Sequence, residues 1–109
     1  MARLPFLLAS SVALGLPAVA AAEDPAYPPI ALTLTCGEFR PLLHAQPKAA
    51  GTAIIWLDGY YAARNGLSEL PSGWIVTVSR GIGAVCARPA NAGRTVLDVI
   101  AELHRGTKA

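Results

Sequence analysis

The sequence predicts a small, single-domain all-α fold of about four helices closed by one disulfide. Three observations carry this expectation. Apolar residues recur at helical spacing in two stretches, 47–65 and 95–105. Cap-type residues stand where those helices, and a shorter one near Thr35, would begin. The two cysteines, Cys36 and Cys86, both follow what reads as an export signal, a setting in which a cysteine pair is usually oxidised.

The opening segment has the order of an address. Met1-Ala2-Arg3 is a short positive start, and Leu4 to Val19 is uncharged and apolar, broken by Pro5, Gly15 and Pro17. Ala18, Ala20, Ala21 and Ala22 then precede Glu23-Asp24. A cleavable secretory signal over 1–22 fits this order, with cleavage after Ala20 or Ala22 fitting equally. A membrane-spanning helix would need about 20 unbroken apolar residues. Without its first 22 residues the chain is 87 long, enough for one domain whose limited core calls for a staple. Setting Arg3 aside leaves eight Lys or Arg against seven Asp or Glu. That balance makes nucleic acid and anionic membranes poor partners. A bridge closing so long a loop would stabilise the fold by about 4 kcal/mol in the chain-entropy model.

Residues 23–32 contain Pro25, Pro28 and Pro29 and are expected to be a flexible lead-in to a helical domain spanning 33–105. Thr35 and Glu38 have capping-box spacing, so a first helix starts there, carrying Cys36 and Phe39. Pro41 should limit it to little more than a turn, or kink it. The second helix is bracketed by Pro47 and Gly66. Ala50, Ala53, Ile54, Leu57, Tyr60 and Tyr61 form one apolar face of it, and Thr52, Ile55, Gly59 and Ala62 lie opposite. Trp56 and Ala63 extend the apolar surface sideways. A helix apolar nearly all round is buried on more than one side, so the second side meets either the rest of the core or a partner. The small residues around Ile55 make Thr52, Ile55, Gly59 and Ala62 the expected face of a homodimer.

Residues 72–87 read two ways. Trp74-Ile75-Val76-Thr77-Val78 has strand propensity, whereas Trp74, Val78, Ile82 and Val85 recur at helical spacing. Gly81 and Gly83 each weaken a helix by up to about 1 kcal/mol, and the pattern leans only slightly to helix. A loop at Pro89, Asn91 and Gly93 leads to the last helix. Thr95 and Asp98 open it, and Val96, Val99, Ile100 and Leu103 form its stripe.

Catalytic chemistry finds little support in this composition. His44 and His104, the only histidines, sit in polar or terminal contexts and read as solvated surface residues. No H-E-x-x-H, G-x-S-x-G or phosphate-loop spacing occurs. A disulfide would consume both cysteines, and nothing clusters ligands for a metal. The expectation is a non-enzyme without cofactor. Trp56, Tyr60, Tyr61 and Trp74 are interface-type side chains that could equally be core.

Thr35-Cys36-Gly37-Glu38-Phe39 resembles the TC-x-x-F opening of the HdeA/HdeB family of periplasmic acid-stress chaperones. Ile55-Trp56-Leu57-Asp58-Gly59-Tyr60-Tyr61 looks like the WLxGYY segment of HdeB-like members, Cys86 falls at the family's second cysteine, and Thr95 to Ile100 resembles its closing helix. The resemblance covers about residues 33–103. It implies a periplasmic, all-helical homodimer with a disulfide between the first and third main helices. It also implies a holdase, independent of ATP, that keeps unfolding periplasmic proteins soluble at low pH. Its client-contacting residues would be Trp56, Leu57, Tyr60, Tyr61, Trp74, Ile75 and Val78, largely covered at neutral pH. Loss of contacts by Glu38, Asp58, Glu69, Asp98 and Glu102 would expose them at about pH 2–5, where ordinary carboxyls titrate. Seven carboxylates are few for such a response and imply a shallow one. The competing expectation is a periplasmic binding or immunity-type module for one specific protein partner.

Overall fold

The structure, a computed structural model, describes residues 29–107. The expected export signal over 1–22 and the expected lead-in up to residue 28 lie outside the described residues. Helix α1 (Cys36–Ala45) starts at a complete capping box. The Glu38 amide donates to Thr35 Oγ1 at 3.1 Å, and the Thr35 amide donates to Glu38 Oε1 at 3.0 Å. Pro41 lies inside this helix and does not end it. Phe39 and Leu42 are both buried, and the core contact they make carries the helix ten residues, past the single turn that was one of the two expectations at Pro41.

Helix α2 (Pro47–Arg64) begins on proline and ends at Gly66, whose φ of 69° is left-handed. Leu67 N donates to Ala62 O at 2.9 Å and Gly66 N to Ala63 O at 3.4 Å. These are the paired bonds of a Schellman stop. Helix α3 (Trp74–Cys86) settles the two-way reading of its segment, since Trp74, Val78, Ile82 and Cys86, spaced by four, are all buried. A short 3-10 turn at Pro89–Asn91 leads to helix α4 (Val96–Gly106). Its cap is Thr95, whose Oγ1 accepts from the Asp98 amide at 3.0 Å.

The helices form one all-α domain. A one-residue antiparallel bridge joins the two capping threonines, Thr35 and Thr95. Cys36 N donates to Arg94 O and Val96 N to Leu34 O, both at 2.8 Å. The first turns of α1 and α4 therefore start side by side. Order begins ahead of Thr35: Leu34 is buried, and Ile30 and Leu32 of the expected lead-in pack against the core. Cys36 and Cys86 form a disulfide, so the bridge ties the first residue of α1 to the last of α3. Both cysteines are buried among Leu34, Phe39, Val78, Ile82, Val96 and Val99 of the common core.

Candidate functional site

The core holds two polar side chains among the described residues, Asp58 at 1% and His104 at 6% exposure, and they hold each other. Asp58 follows Ile54 by one helical step of four on α2, and His104 follows Ile100 by the same step on α4. The two apolar stripes face one another, so the polar residues meet at their ends. His104 Nε2 lies 2.7 Å from Asp58 Oδ1. Since a carboxylate only accepts, Nε2 carries the hydrogen. Trp74 at the start of α3 adds a third element: its Nε1 donates to both Asp58 oxygens at 3.1 Å. The imidazole is held between aromatic rings, 4.6 Å from Tyr61 in a stacked pair and 4.3 Å from Trp74 in a tilted one. The sequence placed His104 on the solvated surface, and that expectation fails. Its terminal position concealed that it extends the Val96–Ile100 register into the core. His44 is exposed.

The interface residues expected from the sequence divide into two groups. Leu57, Trp74 and Val78 are buried core, and Tyr60 and Tyr61 are half-buried. Trp56 at 48% and Ile75 at 39% exposure are the two members of the set that lie open in the single chain. Thr52, Ile55 and Gly59 lie exposed along the outer side of α2, with Ala62 half-buried beside them; Ile55 is 58% exposed. The outward side of α3 adds Val76 at 55%, which the strand-or-helix ambiguity had hidden. Only Lys48, Asp58 and Arg64 are charged on α2, and Asp58 is buried, so its exposed face is uncharged from Ala49 to Ala63. No family model, curated protein or solved structure matches this chain.

A shallow cavity of about 300 Å³ opens at the end of α2, lined by Tyr60, Tyr61, Arg64, Asn65 and Leu97. Arg64 bonds the Tyr60 hydroxyl, and its guanidinium lies 5.4 Å from that ring's centroid. Tyr61 separates this cavity from His104. The Asp58–His104 pair has the outline of the orienting half of a hydrolytic triad. No hydroxyl or thiol among the described residues hydrogen-bonds its imidazole. Among the described residues no group of three His, Cys, Asp or Glu could hold a metal ion. On the outer surface Arg94 donates to Asp98 at 2.8 Å and to Glu102 at 2.6 Å. The Glu102 contact, then that to Asp98, raises the guanidinium's pKa above its ordinary value. What the geometry offers is apolar contact surface outside and one polar joint inside.

Proposed function

We propose that this protein is an exported holdase, resembling the HdeA/HdeB chaperones, that keeps unfolding periplasmic proteins soluble without ATP and responds to acid. The observation that carries this reading is the uncharged, exposed face of α2 with Ile55 and Trp56, joined by Ile75 and Val76 on α3. Large apolar side chains left open on a domain whose core is otherwise closed are characteristic of surfaces that bind other proteins. Trp and Ile present area and few hydrogen-bonding demands, which suits clients that share apolarity and no common sequence. At neutral pH the Thr52, Ile55, Gly59 and Ala62 face is the homodimer contact in this reading, since small residues flanking Ile55 let a second backbone come close.

The test is suppression of aggregation of a generic client, at neutral and acid pH, by the protein and by its Trp56→Asp variant. Broad protection that Trp56→Asp loses, with helical content unchanged, is the expected result. Ile55→Asp should yield monomers by light scattering. Absence of protection together with tight capture of a single periplasmic protein would replace the holdase with the one-partner module.

A further inference from the structure

We infer that the cavity where the end of α2 meets the start of α4 binds a small aromatic carboxylate, with Arg64 as the anion contact and Tyr60, Tyr61 and Leu97 as apolar walls. The inference stands apart from the holdase reading and needs no part of it. The volume of about 300 Å³ is at the lower end of the range for small-molecule sites, about 300–1,000 Å³. The walls are fixed before any ligand arrives. Tyr61 is stacked on buried His104 at 4.6 Å, Asn65 Nδ2 donates to Tyr61 O at 2.8 Å, and Leu97 packs against the core. Tyr60 carries the Arg64 guanidinium 5.4 Å from its ring centroid.

The polar content of the cavity is one-sided. Arg64 spends one N–H on the Tyr60 hydroxyl, and among the described residues no carboxylate pairs with the rest of its fork. The Tyr60 hydroxyl accepts that bond and keeps its own proton to donate. The acids that could have filled the place are committed elsewhere. Asp58 is held in the core by His104 and Trp74, and Asp98, next to Leu97, is held by Arg94. Arg64 is not needed to close its own helix either. Tyr61, Ala62 and Ala63 carbonyls already accept from the amides of Asn65, Gly66 and Leu67. A cation and a hydroxyl donor beside two phenol rings call for an acceptor with negative charge and a flat apolar body. A carboxylate matches the guanidinium fork through two parallel bonds, and an aromatic ring offers the tyrosines a stacking partner. An inorganic anion would leave the rings and Leu97 without a partner.

The experiment titrates the protein at neutral pH with phenylacetate, with its uncharged counterpart phenylacetamide and with inorganic phosphate, followed by nuclear magnetic resonance. Phenylacetate should shift the Leu97 methyl and the Tyr60 and Tyr61 ring signals saturably. Phenylacetamide should bind about tenfold to a hundredfold more weakly, the loss expected for hydrogen bonds to a charged group. Phosphate should not displace the acid. Arg64→Gln lies at an exposed position and should keep the parent's helical signal, yet lose the preference for acid over amide. Arg64→Lys, with the charge and without the fork, should fall between. A tripeptide ending in phenylalanine, with its carboxylate free or amidated, separates the two sources of this chemistry. Free-end binding tighter than that of phenylacetate assigns the site to chain ends, and weaker binding assigns it to free acids. Three results would overturn the inference: no saturable shift at the cavity with millimolar acid, equal binding of acid and amide, or an unchanged preference in Arg64→Gln. Shifts confined to Trp56 and Ile75 would overturn it as well, since they place the ring on the outer apolar face.

Discussion

The surface contacts of Arg94 and the buried Asp58–His104 contact, all made to residues of α4, differ in what they contribute, and burial decides the difference. Arg94 bonds Asp98 and Glu102 with about a third of its side chain and about half of theirs open to water. Such pairs contribute about 0–1 kcal/mol, so Arg94→Ala should lower stability in urea by no more than that. The sign of its pH dependence follows from the raised guanidinium pKa. The cation side of the pair is intact below the ordinary arginine range and weakens only as pH rises beyond it. Asp58 is different, because its partners are neutral or cationic donors in a dry site. Trp74→Phe keeps most of the ring and removes the donor to both carboxylate oxygens. It should cost about 1.5–3 kcal/mol, the range for a hydrogen bond to a charged group, measured by the same urea titration. Equal losses for Trp74→Phe and Arg94→Ala would mean that the joint is more hydrated than its burial implies.

Among the elements, what the sequence made legible was each apolar register and most of the caps. Thr35 with Glu38, Pro47, Gly66 and Thr95 mark the boundaries where they were read, because caps are local chemistry. Pro41 misled, since the cost of its missing amide is local while the burial of Phe39 and Leu42 that offsets it is tertiary. The segment 72–87 stayed open between strand and helix for the same reason: only packing against the other helices picks the spacing of four over the alternation of two. The Asp58–His104 joint was half legible. A charged residue one step beyond Ile54 and a histidine one step beyond Ile100, each continuing an apolar stripe, were the available signal. Two glycines test this local reading with opposite signs. Gly66 has φ 69°, so Gly66→Ala forces a left-handed alanine at the end of α2 and should cost about 1–2 kcal/mol. Gly51 lies within α2, and a methyl there would meet no other side chain. Gly51→Ala should therefore raise stability by about 0.5–1 kcal/mol, read as a higher urea midpoint.

At the scale of the whole molecule, two ties of different kind cross the helices, one covalent and one made of hydrogen bonds to a single carboxylate. The disulfide joins α1 to α3 across 50 residues of sequence and does not titrate. The Asp58 joint links α2, α3 and α4 through hydrogen bonds. If the joint releases while the bridge holds, α1 and α3 stay paired through buried Cys36 and Cys86, and α4 is the element free to leave. The capping-threonine bridge then becomes the hinge, because Thr35 and Thr95 keep the start of α4 beside the start of α1. An acid state built this way keeps much of its helical signal and gains apolar surface. Removing the bridge should abolish that intermediate. Cys36→Ser with Cys86→Ser is expected to lose about 2–5 kcal/mol at neutral pH. In acid the variant should go directly to a state with little helical signal and weak dye binding, where the parent binds dye strongly. Far-ultraviolet circular dichroism and dye fluorescence along one titration distinguish the two. Retention of the same dye-binding state without the disulfide would show that packing alone, and not the tie between α1 and α3, keeps the opened chain compact.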